Sequence, residues 1–207
     1  MVDFDVVPHR TALINVDMQS CFVEGTPIAA PEGRAVLERI NRVAAACRGA
    51  GILVIHTSNV FRADGSNLGI LAEFDPIVKT GILTKGSETA ALHKKLVVDA
   101  RDVLLDKPRF GAFHGTDLEL ILRSRGIDTL IITGIATNVC CETTAREAAV
   151  RDFRVMFLSD GTATFGMGEV SAAELQRATC TTLGAVFAQV LTVDEMISKI
   201  EAGASTR

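Results

Sequence analysis

The feature that most constrains the fold is a regular alternation of short apolar runs with amphipathic stretches. Runs such as TALINV at residues 11–16 and TLIIT at residues 129–133 are typical of strands buried on both faces. Residues 31–50 carry apolar side chains at helical spacing and are followed closely by glycine, which predicts a helix. The chain is therefore expected to alternate between strand and helix.

Six strands and six helices are predicted in this way. The strands are residues 11–16, 52–56, 102–105, 129–133, 155–158 (with a turn at Asp160 and Gly161) and 186–191. The helices are residues 31–50, 87–98, 116–125, 139–151, 169–183 and 193–200. Each strand is followed by a helix or a long loop, so the fold class is α/β: a three-layer αβα, doubly wound, Rossmann-like sandwich with a six-stranded parallel sheet. With no repeat or linker, residues 1–207 are expected to form a single domain.

Composition excludes several classes of function. The chain has a formal net charge of -4 and neither Trp nor Tyr, which argues against nucleic-acid partners. No apolar run approaches the roughly 20 residues that span a bilayer, so no membrane partner is expected. The first ten residues lack the apolar core of a secretory signal, and the five cysteines include no CxxC pair. We therefore predict a cytoplasmic protein with reduced thiols.

Three chemically active side chains fall at predicted strand ends. Asp17 follows the first strand, Lys107 follows the third, and Cys140 lies just beyond the fourth, where a helix begins. Ligands bind beyond the carboxyl ends of parallel strands, so these side chains could converge there. Each also has a purely structural alternative, because an aspartate can cap a loop, a lysine can be solvated and a cysteine can pack in the core.

The position of Cys140 predicts a nucleophile. In the first turn of a helix, unpaired N–H groups and the helix dipole favour a thiolate and can hold an oxyanion. Asp17 could then shuttle the proton between the thiol and a leaving amine, and Lys107 could keep Asp17 ionised.

Three motifs in order carry a family resemblance. Residues 17–22 (DMQSCF) resemble the D-x-Q-x-D-F opening of isochorismatase-like cysteine hydrolases. Residues 107–113 (KPRFGAF), with residues 116–118 and 122–123, resemble their K-x-x-x-S-A-F…T-x-L…L-R segment. Residues 134–145 (GIATNVCCETTA) resemble their G-x-A-T-x-x-C-V-x-x-T-A signature, the most specific of the three. Cys21 and Gly111 depart from the common Asp and Ser of the family.

The resemblance implies a catalytic triad of Cys140, Asp17 and Lys107. It also implies a cis peptide between residues 135 and 136 and an oxyanion hole formed by the Ala136 and Cys140 amides. Phe22 resembles the aromatic of the pocket wall, and the family suggests a homodimer or homotetramer. Cys141 is assigned to packing, with a vicinal redox pair as the alternative.

The reaction implied is hydrolysis of a small carbamoyl, ureido or carboxamide substrate, with ammonia release through a thioester. The nicotinamidase-type Asp-x-His is missing after the second strand, so we predict no metal and no cofactor. The members resembled most closely are N-carbamoylsarcosine, ureidoacrylate and biuret amidohydrolases. Substrate contacts are assigned to Phe22, Gln19, Asn59 and Arg62. The alternatives are a non-catalytic or thiol-redox protein of the same fold, or a nicotinamidase-type amidase.

Overall fold

A six-stranded parallel sheet forms the centre of the computed structural model, which describes residues 2–204. The strands are β1 (Thr11–Val16), β2 (Leu53–Asn59), β3 (Val103–Lys107), β4 (Thr129–Ile135), β5 (Arg154–Ala163) and β6 (Gln189–Leu191). Their order across the sheet is β3-β2-β1-β4-β5-β6, and every neighbouring pair is parallel. The predicted fold class is confirmed. Strand order reverses at β1, which lies between β2 and β4.

In the described part of the chain, seven helices accompany the sheet. They are α1 (Ser20–Val23), α2 (Gly33–Ala50), α3 (Leu71–Phe74), α4 (Leu118–Ser124), α5 (Glu142–Ala149), α6 (Ala172–Val186) and α7 (Val193–Ala204). Single turns of 3-10 helix lie at Pro8–Arg10 and Pro76–Thr80, and a π turn at Thr137–Cys141 precedes α5. Within residues 2–204, no helix combines the length and the apolar character needed to cross a bilayer.

The alternation of side chains along β1 divides the core between the two faces of the sheet. Leu13 packs with apolar residues of α2 and α7, including Val43 and Met196. Ala12 and Ile14 lie in the cluster that contains residues of α4, α5 and α6. All six residues of β1 are buried, as its continuous apolar sequence predicts. A third cluster lies at the carboxyl edge of the sheet and includes Phe22, Leu71 and Ala136.

The segment at residues 87–98 is not the predicted helix but a series of turns. Its backbone pairs with the chain around α1 instead: Ser20 N–H donates to Ala91 O at 2.9 Å, and His93 N–H donates to Met18 O at 2.8 Å. The local pattern was compatible with a helix, but these tertiary hydrogen bonds satisfy the same backbone groups.

Two other predictions at the far edge of the sheet were wrong. Asp160 and Gly161 do not form a turn; β5 continues through them to Ala163, with a shift in its pairing register to β4 between Ile132 and Gly134. Val186 ends α6 rather than starting a strand, so β6 begins at Gln189.

Candidate active site

The three predicted catalytic side chains meet at the carboxyl edge of the sheet, where strand order reverses. Asp17 follows β1 directly and adopts a positive φ of 52°. Lys107 is the last residue of β3, and Cys140 lies in the π turn between β4 and α5. The parallel pairing of β1 with both β2 and β4 brings these distant parts of the chain to one edge.

Asp17 and Lys107 form a fully buried ion pair. The Lys107 Nζ lies 2.7 Å from Asp17 Oδ2, and neither side chain is exposed. Nζ also donates to the carbonyl oxygens of Arg109 at 2.9 Å and Phe110 at 2.8 Å, and its contact with Oδ2 is an ion pair rather than an aligned hydrogen bond. Burial alone would lower the pKa of Lys107, but the charge of Asp17, its contact with Lys107 and the nearby Cys140 and Cys141 together outweigh this effect and raise that pKa. The lysine is therefore an ammonium.

Thr57 of β2 holds the Asp17 carboxylate in place. Its hydroxyl donates to Asp17 Oδ1 at 2.7 Å and accepts from the Asp17 N–H at 3.2 Å. One oxygen of the carboxylate is thus occupied by Thr57, while the other faces the ammonium. The contacts with Thr57 and Lys107 therefore hold the carboxylate in one orientation.

The Cys140 thiol is buried and faces this carboxylate. Burial raises the pKa of Cys140 to about 12, although the Lys107 charge lowers it. The charge of Asp17 and its hydrogen bond with the thiol raise that pKa further. The expected thiolate is therefore wrong for the unliganded protein: Cys140 precedes α5 rather than lying in its first turn, and desolvation outweighs the nearby ammonium.

The Ala136 backbone lies beside the sulfur. A hydrogen bond from its backbone lowers the pKa of Cys140, and the Ile135–Ala136 peptide bond is cis. The Ala136 carbonyl accepts hydrogen bonds from Val139 N–H at 3.2 Å and Cys141 N–H at 3.1 Å, which closes the turn around Cys140. An N–H group is therefore available beside the sulfur, where an oxyanion would form.

A cavity of about 440 Å³ opens onto Cys140 and Ala136. Phe22 and Asn59 line it, together with apolar residues of α3 and the Pro76–Thr80 turn. Asn59 is 2% exposed; its Nδ2 donates to Arg109 O at 3.0 Å, while its Oδ1 has no partner within residues 2–204. The Cys140 thiol, the Ala136 residue and the Asn59 side chain therefore border one cavity, and Asp17 is not among the residues that line it.

Comparison with known proteins places this arrangement in a family. A model of the isochorismatase domain matches residues 11–195. The chain belongs to the isochorismatase family. Ureidoacrylate amidohydrolase RutB of Methylorubrum extorquens is 36% identical over 182 residues, which cover 78% of this chain and 72% of that protein. RutB of Klebsiella pneumoniae is 35% identical over 176 residues, which cover 75% of this chain and 74% of that protein.

Solved structures of the family share the fold. A cysteine hydrolase from Pseudomonas syringae pv. phaseolicola superposes with a TM-score of 0.93 at 37% identity, covering 98% of this chain and 97% of that one. An isochorismatase family protein from Burkholderia thailandensis gives a TM-score of 0.82 at 30% identity, and the superposition covers 95% of this chain and 98% of that one. The resemblance drawn from the three motifs is confirmed.

Two of the predicted substrate contacts lie outside the cavity of this family member. Gln19 is buried beneath it: its Nε2 donates to Asn59 O at 3.0 Å and its Oε1 accepts from Asn59 N–H at 2.8 Å. Gln19 thus positions Asn59. Arg62 lines a separate surface cavity beside Lys85 and Asp106.

The second sulfur of the vicinal pair points into the core. Cys141 is fully buried, and its Sγ lies 3.8 Å from Thr133 O, to which the thiol donates. Cys140 lines the cavity and Cys141 does not. In the described part of the chain all five cysteines are free thiols.

The two departures from the family motifs have local consequences. A side chain at Gly111 would meet the Glu147 carboxylate, which accepts a hydrogen bond from Phe113 N–H at 3.1 Å. Cys21 is buried beside Asp17, and burial together with that charge raises the pKa of Cys21 to about 12. Neither residue lines the cavity at Cys140.

Sequence reasoning missed Thr57 and most of the cavity wall. Thr57 lies in the middle of β2, and no motif marks it; only the pairing of β1 with β2 places it beside Asp17. His56, its neighbour, points the other way and hydrogen-bonds Asp102 at 3.0 Å. Across residues 2–204, no three His, Cys, Asp or Glu side chains cluster in a way that could hold a metal ion.

Proposed function

We propose that this protein hydrolyses the carbon–nitrogen bond of a small carboxamide or urea and releases ammonia, with Cys140 as the nucleophile. The observation that carries this proposal is the meeting of Cys140, Asp17 and Lys107 at one edge of the sheet: Asp17 and Lys107 lie 2.7 Å apart, and both charges act on the pKa of the Cys140 thiol. The similarity to ureidoacrylate amidohydrolases supports an amide-type substrate.

Acylation begins when the Cys140 sulfur attacks the substrate carbonyl carbon and its proton passes to Asp17. Because the resting thiol has a pKa of about 12, attack and proton transfer occur together rather than from a preformed thiolate. The Ala136 and Cys140 N–H groups stabilise the oxyanion of the tetrahedral intermediate. Asp17 then returns the proton to the nitrogen, the carbon–nitrogen bond breaks, and ammonia leaves a thioester on Cys140.

Deacylation uses the same groups in reverse. Water attacks the thioester carbonyl carbon while Asp17 takes one of its protons. Collapse of the second intermediate breaks the carbon–sulfur bond, and Asp17 protonates the departing sulfur. The product is a carboxylic acid, or a carbamic acid where the substrate is a urea. Lys107 remains charged throughout and positions the carboxylate.

The direct test compares ammonia release by the Cys140→Ala and Cys141→Ala variants. The panel contains carbamoyl amino acids, biuret, ureidoacrylate, nicotinamide, maleamate and simple alkyl amides. We expect Cys140→Ala to lose at least about 10⁴-fold in kcat/KM, because the nucleophile is gone. We expect Cys141→Ala to remain within about threefold of the wild type and to lose about 1–2 kcal/mol of stability.

The covalent intermediate supplies a second measurement. Rapid acid quench during turnover should leave the acyl group on the peptide that contains Cys140, detected by mass spectrometry. Full activity of Cys140→Ala would reject covalent catalysis by this residue. Loss of activity only in Cys141→Ala would mean that the neighbouring sulfur is the nucleophile.

A further inference from the structure

The wall of the cavity at Cys140 is almost entirely apolar. Five of the ten phenylalanines of the chain line it, and most of the other lining side chains are aliphatic. The five are Phe22, Phe61, Phe74, Phe110 and Phe165. Apart from the sulfur-containing side chains, the polar ones are Asn59, at the end of β2, and Asp75, on the segment between α3 and the Pro76–Thr80 turn.

No basic side chain within residues 2–204 lines this cavity. The Lys107 ammonium does not line the cavity; it is paired with Asp17 and donates to two carbonyl oxygens. The Arg109 guanidinium donates to Asn67 O at 3.0 Å and Pro108 O at 2.6 Å. Lys85 is paired with Asp106 at 2.7 Å beside the separate cavity that includes Arg62. A carboxylate in the cavity would therefore lose its hydration without gaining a cation, and Asp75 would repel it.

We propose that the part of the substrate beyond the scissile amide is apolar and uncharged, so that this enzyme acts on alkyl or aryl carboxamides or N-alkyl ureas. This inference rests on the proposed function and specifies its substrate class. This substrate class differs from ureidoacrylate, after which the RutB relatives are named, because ureidoacrylate carries a carboxylate.

The volume and the polarity of the cavity together determine the orientation of such a substrate. The volume of about 440 Å³ falls within the range of small-molecule sites, about 300–1,000 Å³, so it accommodates a branched alkyl group or a benzene ring. Asn59 lines the cavity, and we assign the substrate NH₂ group to its unpartnered Oδ1, which is buried and must turn toward the cavity to accept the hydrogen bond. The apolar group then packs against the phenylalanines, where it gains free energy by leaving water.

The test uses pairs of substrates that differ only in charge. 4-Methylpentanamide and succinamate have the same shape and the same number of non-hydrogen atoms, with an isopropyl group in place of the carboxylate. 3-Methylbutylurea and 3-ureidopropanoate form the corresponding urea pair. We expect kcat/KM for ammonia release to favour the neutral member of each pair by at least about 50-fold. Equal rates, or a preference for the acids, would overturn the inference.

A charge placed in the wall should reverse part of this preference. Ile77 lines the cavity, whereas Ile70 lies a short distance upstream, is 60% exposed and does not line it. We expect Ile77→Lys to reduce the neutral-to-acid ratio by about tenfold or more, since it supplies the missing cation. Ile70→Lys makes the same change in net charge and should leave the ratio unchanged. An equal shift in both variants would count against the cavity as the origin of selectivity.

A binding measurement tests the proposed substrate class independently of the proposed catalytic mechanism. The Cys140→Ala protein cannot acylate, so calorimetry measures affinity alone. We expect it to bind 4-methylpentanamide at least about tenfold more tightly than succinamate. That result supports the substrate class even if ammonia release proves independent of Cys140, which would reject only the mechanism. Failure to bind either compound, or tighter binding of succinamate, would overturn the substrate class.

Discussion

Asp17 is expected to affect the reactivity of Cys140 in two opposite ways, and both follow from its position. Its charge and its hydrogen bond raise the pKa of the thiol, which makes the resting sulfur less reactive. Under the proposed mechanism, the same carboxylate takes the thiol proton at the moment of attack. Reactivity toward a substrate carbonyl and reactivity toward a general alkylating reagent should therefore respond differently to substitution of this residue.

Asp17→Asn should separate the two kinds of reactivity. Removing the charge lowers the pKa of Cys140 from about 12, so more thiolate is present at about pH 8 and iodoacetamide should label Cys140 faster, by about tenfold for each unit that the pKa falls. Amide hydrolysis should fall by about 10²–10⁴-fold, because the proton shuttle is lost. Labelling is measured by mass spectrometry of the Cys140 peptide and hydrolysis by ammonia release.

Asp106→Asn is the control for that experiment. It makes the same change in charge at an exposed ion pair with Lys85 and should alter neither rate. Slower labelling of Asp17→Asn than of the wild type would contradict the electrostatic role given to Asp17.

At the scale of elements, a second buried network joins the strands on the side away from the catalytic groups. His56 of β2 contacts Asn15 of β1 at 3.2 Å and Asp102, just before β3, at 3.0 Å. Arg48 of α2 donates two hydrogen bonds to the same Asp102 carboxylate, at 3.1 and 2.6 Å. Burial lowers the pKa of His56, so at neutral pH it links the two strands as a neutral ring.

Asp102→Ala should therefore destabilise the fold without changing the chemistry. The substitution removes the carboxylate that contacts both Arg48 and His56, in a region where the Asp102 and His56 side chains are buried. We expect the free energy of unfolding to fall by about 3–5 kcal/mol, with kcat of the folded enzyme unchanged. Urea denaturation measures the loss; Asp106→Ala, at an exposed ion pair, should cost less than about 1 kcal/mol. Equal losses in the two variants would show that burial does not govern this network.

In the molecule as a whole, one face of the sheet contributes an apolar core, and the other face and the carboxyl edge carry the candidate active site. The face covered by α2 and α7 contains an apolar cluster with none of the residues that line the cavity. The carboxyl edge and the opposite face hold Cys140, the π turn and α5. Stability and activity should therefore respond independently to substitutions on the α7 side.

Met196→Ala tests this independence. Met196 of α7 is 0% exposed in the cluster with Val43 and Leu13, so truncation should cost about 2–5 kcal/mol in unfolding free energy. The kcat of the folded enzyme should not change. Leu120→Ala on α4, 70% exposed, is the control and should stay within about 0.5 kcal/mol of the wild type. A large fall in kcat for Met196→Ala would show that the two faces are coupled.

The sequence alone was sufficient for the architecture and for the catalytic candidates. Strand and helix formation depend on apolar periodicity, which is local, and the run at Thr11–Val16 was predicted with its bounds. Asp17, Lys107 and Cys140 could be named because parallel strands carry such residues to one edge and because three motifs occur in order.

Tertiary structure decided the properties that depend on neighbours from distant parts of the chain. The Cys140 thiol stays protonated because desolvation by its surroundings outweighs the effect of the Lys107 charge on its pKa. No local sequence pattern predicts the balance between these two effects. Thr57 reaches Asp17 only through strand pairing, and residues 87–98 form turns because their backbone bonds to the chain around α1. The apolar cavity is likewise assembled from side chains far apart in sequence, so its apolar character appears only when the chain is folded.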